Sequence, residues 1–273
     1  KRFIDLMAEY KYNVFHWHLS DDQGWRVEIK SLPRLTDVGA WRAPRVGNWW
    51  EREPQSVTDS LTYGGFYTQD DIREVVEYAR ERFITVVPEI DVPGHSMALL
   101  TAYPEISCTG GPFHVNVGNT FYTKEENSLC VGKEKTFAIL DMIFDELVDL
   151  FPSSYIHIGG DECYKGFWAK CPDCRARMSS KQLQNVEELQ SYFVKRVASH
   201  IQSKGKHVIG WDEILEGGLA PSATVMSWRG EKGGITAATM GHDVVMTPAK
   251  WMYIDAGQGA VEVEPVAIDV SRM

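Results

Sequence analysis

Ile156-His157-Ile158-Gly159-Gly160-Asp161-Glu162 begins as an apolar strand and ends, across two glycines, in a pair of adjacent carboxylates. With Tyr155 in front, it has the length and apolar content of a buried strand, and the glycines leave the backbone free to bend at its carboxyl end. Residues 134–151 before it and 185–204 after it carry helical periodicity, the second stopped by Gly205. Further strands are predicted at about 207–211, 224–228 and 243–247, the last two separated by a short helix around 233–240. Towards the amino end, Ile84–Ile90 reads as a strand preceded by a helix that buries Ile72, Val75, Val76 and Ala79. Thr68 and Asp71 mark the start of that helix as a capping box. Residues 13–19 are another strand, and 1–11 a helix with Phe3, Ile4, Met7 and Ala8 on one side. Between that strand and the helix begun at Thr68, 31–67 is rich in loop signals, with Pro33, Pro44, Pro54 and Gly64-Gly65. Strand alternating with helix predicts parallel strands joined by crossovers. No G-x-G-x-x-G or Walker pattern points to a nucleotide fold.

The 273 residues suit one large α/β barrel. Apolar residues at 44% and charged residues at 24% exclude intrinsic disorder. A formal charge of −10 argues against nucleic acid as the main partner, and no apolar run is long enough to span a membrane. Nine Trp and eleven Tyr, several beside carboxylates, are the mixture that a sugar ring requires, with its apolar faces and its rim of hydroxyls. The five cysteines include one C-x-x-C, Cys171-Pro172-Asp173-Cys174. A zinc ribbon needs a second pair at matching spacing, which the sequence does not supply, and Cys163 adds only a third thiolate. Cys108 and Cys130 flank a Gly-containing loop and are placed to pair in an oxidising compartment.

The predicted strands end alike. His16-Trp17-His18 leads into Asp21-Asp22-Gln23, Glu89-Ile90-Asp91 into His95, and His157 into Asp161-Glu162, with Trp211-Asp212-Glu213 and Ser227-Trp228-Arg229 continuing the series. Side chains alternate along a strand, so His16 and His18 share one face while Phe15, Trp17 and Leu19 share the other. In a parallel barrel the chemistry sits at the carboxyl ends of the strands. Two neighbouring carboxylates repel, which is expected to raise one pKa and so provide an acid near neutrality. A glycosidase needs such an acid for the leaving oxygen and a negative charge near the reacting carbon.

At these residues the chain resembles the family 20 glycoside hydrolases, the β-N-acetylhexosaminidases. The resemblance rests on Phe15-His16-Trp17-His18-Leu19-Ser20-Asp21-Asp22-Gln23-Gly24-Trp25, Pro88-Glu89-Ile90-Asp91-Val92-Pro93-Gly94-His95, His157–Glu162, Gly210-Trp211-Asp212-Glu213, Met226-Ser227-Trp228 and Tyr253-Ile254-Asp255, in that order. It implies an α/β fold, a (β/α)8 TIM barrel of which about six of eight strands fall within 1–273. It also implies removal of terminal β-linked N-acetylhexosamines with retention, without an enzyme nucleophile. The substrate's own acetamido oxygen attacks and gives an oxazolinium intermediate. By motif, Glu162 is the expected general acid/base and Asp161 the group that orients the acetamido unit and stabilises its charge. His95, with Asp21 behind it, is the expected relay to the acid. Trp211 and Trp228 are expected to wall the acetamido pocket, Tyr253 to donate to the acetamido oxygen, and Asp255 to bind sugar hydroxyls. Asp212, Glu213 and Arg229 are expected to be structural, and His16 and His18 polar packing beneath the site. The resemblance implies an oligosaccharide or glycoconjugate as partner, no cofactor and no metal, and an exported location, whether periplasmic, extracellular or lysosomal.

The resemblance also places the family's sugar-binding Arg before Lys1, and its last strand, with a Trp and a Glu, beyond Met273. An accessory domain is expected before the barrel. Ala256-Gly257 stands where an aromatic pair is expected, and full activity is expected of the longer parent. Two rival readings use the same residues. His16-x-His18 with His157, His207 and Asp212 would make a metal-dependent hydrolase, distinguished by metal analysis and sensitivity to EDTA. A catalytically inactive carbohydrate-binding barrel would lack turnover. Singly, each of these residues has a plain structural use; their joint order favours the glycosidase.

Overall fold

A computed structural model describes residues 1–47, 52–118 and 123–254. Six parallel strands form its main sheet: β1 (Val14–His18), β2 (Thr85–Glu89), β3 (Tyr155–His157), β4 (His207–Trp211), β5 (Thr224–Ser227) and β6 (Val244–Met246). Each pairs with the next in sequence, so the spatial order is the chain order. A doubly wound sheet reverses direction at a switch point. Here the order never reverses, as in a (β/α)8 barrel, and six of that barrel's strands lie among the described residues.

The crossovers follow the predicted periodicities. Helices α1 (Arg2–Glu9), α2 (Gln69–Arg80), α3 (Glu134–Leu150), α4 (Pro172–Ser180), α5 (Val186–Ser203) and α6 (Glu231–Thr239) accompany the strands. Thr68 caps α2 in the expected box: its hydroxyl accepts from the Asp71 amide at 3.1 Å, and the Asp71 carboxylate accepts from the Thr68 amide at 2.8 Å. α1 stops two residues short of its predicted end, because Lys11 takes a left-handed conformation (φ 61°). The segment expected to be loop holds two short antiparallel strands, Trp41–Arg42 against Tyr63–Gly64, while Ser20–Asp21 pairs with Gly24–Trp25 just after β1. Two-residue strands leave no periodicity to read. Among the described residues no helix is long and apolar enough to cross a membrane.

Strand alternation sorts the side chains into two cores. Val86, Ile156, Val208 and Val225 face the helices and join the large apolar core with Ile72 and Ala79 of α2 and with Phe137, Ile143 and Phe144 of α3. The other face holds a small layer of Val87, Ile209 and Met226, with Tyr155 and Trp211 against it. Above that layer, one alternation further along, come His18, Glu89, His157 and Trp211. The barrel interior is thus apolar at its floor and polar at its mouth, and this change of chemistry lies at the strands' carboxyl ends.

Ile72 is fully buried and Ile235 on α6 is 64% exposed. Ile72→Ala is expected to destabilise the fold by about 2–5 kcal/mol. Ile235→Ala is expected to stay within about 0.5 kcal/mol of wild type. Urea midpoints measure both, and equal losses would show that α2 does not pack as described.

Candidate active site

Glu89 ends β2 with its carboxylate inside the barrel, fully buried. The register sets His18 beside it on one neighbouring strand and His157 on the other. Four nitrogens surround the two oxygens. On Oε1, His157 Nδ1 lies at 3.1 Å and Trp211 Nε1 donates at 3.0 Å; on Oε2, His16 Nε2 lies at 2.7 Å and His18 Nδ1 at 3.6 Å. Burial opposes ionisation, but the imidazoles outweigh it and hold the Glu89 carboxyl well below the ordinary range. The indole of Trp211 is fixed in the same way, by its N–H on Glu89 and by its ring against His157 at 4.8 Å. His16 and His18 therefore do lie beneath the mouth. Their partner, Glu89, had no assigned role in the sequence, although Glu89 and Asp91 share the parity that puts His16 and His18 inside.

Above Glu89 stand the two loops that carry the proposed chemistry. The chain after β2 turns through Val92-Pro93-Gly94 to His95, and the chain after β3 turns through Gly159-Gly160 to Asp161 and Glu162. A β-carbon on Gly94 would lie 2.8 Å from the Asp161 carbonyl oxygen and 3.2 Å from Cys163 Cα. Only a glycine lets the loops approach this closely. His95 (φ 46°) and Glu162 (φ 44°) both adopt left-handed backbone, an uncommon conformation that clusters at functional sites.

His95 sits at the centre of the carboxylates. Its Nδ1 is 3.2 Å from Asp21 Oδ1 and 3.3 Å from Asp22 Oδ2; its Nε2 is 3.4 Å from Glu162 Oε2 and 3.6 Å from Asp161 Oδ2. Burial works against an imidazolium here, but Asp21, Asp22 and Glu162 prevail and raise the pKa well above 6.5. Asp22, read in the sequence only as a possible turn cap, stands behind His95 with Asp21. It is fully buried, accepting from the Met97 amide at 2.9 Å and from Asn127 Nδ2 at 3.2 Å.

The two adjacent carboxylates have opposite surroundings, and the expectation that the candidate acid has the raised pKa is corrected. Contact with His95 lowers the Glu162 pKa, in spite of partial burial. Asp161 is the raised one, at about 6, because burial dominates and the charges of Glu89 and Glu162 add to it. Asp91, buried beneath Asp161, is pushed well above the carboxylate range by burial and by the Asp161 charge.

Trp228 reaches the same mouth from β5. Its backbone amide donates to Asp212 at 3.1 Å, its indole N–H donates to Glu213 at 3.0 Å, and its ring stacks on Tyr253 with centroids 6.4 Å apart. Burial raises Glu213 to about 7. Arg229 Nε pairs with Asp212 at 2.9 Å, so Asp212, Glu213 and Arg229 act as supports for the aromatic wall. Asp255 lies outside the described residues. Of the rival metal set, His16 and His157 converge on Glu89. His207 instead begins β4 at the opposite end, against Tyr155, and Asp212 is held by Arg229.

A raised histidine pKa contributes stability in full below about 6.5, its unfolded value, and loses it as the pH rises through the folded value. Asp22→Asn removes one of the charges behind His95, so the His95 titration followed by NMR is expected to shift to lower pH. An unmoved midpoint would mean that Asp22 does not set the charge of His95.

The catalytic-domain model of glycosyl hydrolase family 20 matches residues 1–271. A beta-hexosaminidase of Porphyromonas gingivalis is 51% identical over 269 residues, covering 98% of this chain and 33% of that protein. One of Vibrio furnissii is 42% identical over 266 residues, covering 97% and 43%. The chain thus spans less than half the length of these relatives. Among solved structures, the beta-N-acetylhexosaminidase of Bacteroides fragilis superposes with a TM-score of 0.80 at 33% identity, over 96% of this chain and 49% of that one. The exo beta-N-acetylglucosaminidase of Vibrio harveyi, solved with N-acetylglucosamine, gives 0.80 at 37% identity over 94% and 39%.

Proposed function

Because the chain belongs to glycosyl hydrolase family 20, we propose that it is the larger part of a catalytic barrel that removes terminal, non-reducing β-linked N-acetylhexosamine, GlcNAc or GalNAc, from oligosaccharides or glycoconjugates. The stereochemistry is retained and the nucleophile belongs to the substrate. One observation carries this reading: two adjacent carboxylates of which Glu162 makes the closer contact with the His95 relay, while Asp161 is the more buried and has a pKa near 6.

An ordinary retaining glycosidase uses two carboxyl groups about 5–5.5 Å apart on either side of the anomeric centre. Here the two carboxylates are neighbours on one rim and both contact His95 Nε2, at 3.6 Å for Asp161 and 3.4 Å for Glu162, so they meet a sugar from one side and not from opposite sides. Glu162 is then the acid. The proton that His95 shares with it moves to the carboxyl group as the sugar excludes water, because burial penalises the carboxylate. Glu162 protonates the leaving oxygen while the C1–O bond breaks and the acetamido oxygen forms the new bond to C1. In the second step water attacks C1, gives its proton to Glu162 and reopens the oxazolinium ring. Asp161 faces the acetamido N–H, whose growing positive charge favours the ionised carboxylate. Trp211, held by Glu89, and Trp228, stacked on Tyr253, wall the methyl group. The Tyr253 hydroxyl donates to the acetamido oxygen, and Asp255 takes sugar hydroxyls. Holding the nucleophile in place this way gives the advantage of an intramolecular reaction. An exported setting is part of the same proposal and rests on the family alone.

Aryl 2-acetamido-β-glycosides are expected to be hydrolysed and the matching plain glucosides hardly at all. Glu162→Gln is expected to slow substrates with poor leaving groups by roughly 10²–10⁴, the worth of general acid catalysis, and activated aryl substrates less. Comparable rates on the plain glucoside, or equal losses on both leaving groups, would contradict the assignment. The pH profile of kcat/KM is expected to be a bell. Its acid limb rises through about 6 as Asp161 ionises. Its basic limb falls above 6.5 as the His95–Glu162 pair loses its shared proton. His95→Gln should displace the basic limb and, by removing the cation that lowers Asp161, move the acid limb to higher pH as well; a profile unchanged by His95→Gln would count against the relay.

A further inference from the structure

The second cysteine pair that the sequence did not reveal is supplied by the fold. Cys108 and Cys130, 22 positions apart, close onto Cys171 and Cys174 at the start of α4, and the four sulfurs all lie within 4.8 Å of one another. Cys108 is 3.7 Å from Cys174, Cys174 is 3.6 Å from Cys130, and Cys130 is 3.7 Å from Cys171. A tetrahedral centre with four bonds of about 2.3 Å has sulfur–sulfur edges of about 3.8 Å. Two disulfides would instead divide the sulfurs into two separate pairs. Here Cys130 and Cys174 each stand at a common distance from two neighbours, so no pairing is distinguished.

The surroundings fit a bound cation as well as the sulfurs do. Cys130, Cys171 and Cys174 are buried and Cys108 is half-buried. Gly132 brings the Cys130 loop directly onto the amino end of α4, and a β-carbon there would lie 2.2 Å from the Asp173 carbonyl carbon and 2.4 Å from the Cys174 nitrogen. Cys171 is the residue before the first turn of α4 and Cys174 lies within that turn, where the helix dipole favours thiolate. Lys133 Nζ donates to the carbonyls of Glu105 and Ser107, and Arg177 Nη2 to that of Gly132, so two cations stand beside the ligand loops. They offset the double negative charge of a tetrathiolate centre.

We infer that Cys108, Cys130, Cys171 and Cys174 bind one structural zinc ion that joins the loop after β2 to the helices after β3. On binding, the four thiols release four protons to solvent and form four zinc–sulfur bonds. The loop so anchored also supports the candidate active site. Leu129 receives the Trp168 indole N–H at 2.9 Å and donates to the Pro93 carbonyl at 2.9 Å. Asn127, two residues earlier, receives the Ser96 amide and donates to Asp22 behind His95. The ion is thus a clamp on the two loops whose separation sets the distance between His95 and Glu162, and it takes no part in the chemistry. Cys163, the fifth thiol, is buried next to Glu162 and is not among the four.

The chain purified under reducing conditions without chelator, after growth in zinc-supplemented medium, is expected to contain one zinc per chain by elemental analysis. Exchange with Co²⁺ is expected to give the intense visible bands of a tetrahedral tetrathiolate site. Cys130→Ser and Cys174→Ser should each lose the metal, whereas Cys163→Ser should keep it. Stripping the ion from the wild-type chain with a thiol-directed mercurial should release one equivalent of zinc and lower the melting temperature. A metal-free chain whose intact mass is lower by four hydrogens, reporting two disulfides, would overturn the proposal. So would stoichiometric iron in place of zinc, or full zinc content in both Cys130→Ser and Cys174→Ser.

Discussion

A fully buried carboxylate is tolerated only when polar groups around it compensate its charge, and Glu89 is met by groups from three strands at once. His16 and His18 come from β1, His157 from β3 and Trp211 from β4. Leaving one such charge unpaired costs about 3–5 kcal/mol, so the contacts tie the register of these strands to one another. The mouth of the barrel inherits its order from this knot. Trp211 is turned towards Glu89, and the Glu89 charge acts on Asp91 and on Asp161, raising both pKa values.

The second constraint is the closeness of two loops. Gly94 lets the loop bearing His95 rest on the backbone of Asp161 and Cys163, and His95 then meets both carboxylates at unequal distances. A single histidine, itself backed by Asp21 and Asp22, lowers both carboxylates, and the deeper burial of Asp161 makes the neighbours unequal. Glu162 keeps its charge because His95 is near, whereas Asp161 is discouraged from keeping its own by burial and by neighbouring carboxylates. On the proposed mechanism this inequality divides the work, with a proton delivered at one residue and a developing cation met at the next. The inferred zinc clamp lies behind the same loops, where a shift of the 127–130 segment would move Asp22 and His95 together.

Much of this was legible in the sequence. The strand–helix alternation gave the parallel sheet, and the polar strand ends gave the site's location, because both follow from local periodicity. Glu162, Asp161, His95, Asp21, Trp211, Trp228, Tyr253 and Asp255 were named as site candidates through the family resemblance that motif order carries. What the sequence withheld was long-range. Glu89 reads as one more polar strand end until its register places it among three imidazoles. Asp22 looks like a turn residue until Asn127 and Met97 are packed on it. The pKa order of Asp161 and Glu162 depends on burial, which no dipeptide reports. Cys108 and Cys130 show no metal spacing because their partners lie across a fold contact between two loops.

The most direct test of the division of labour is a crystal structure of the full-length parent with a stable thiazoline analogue of the oxazolinium intermediate. The account predicts that the Asp161 carboxylate hydrogen-bonds the ring nitrogen and that Trp211 and Trp228 flank the methyl group. Glu162 should lie on the leaving-group side, within hydrogen-bond reach of His95. A carboxylate poised within bonding reach of the anomeric carbon, or Asp161 turned away from the ring nitrogen, would contradict it.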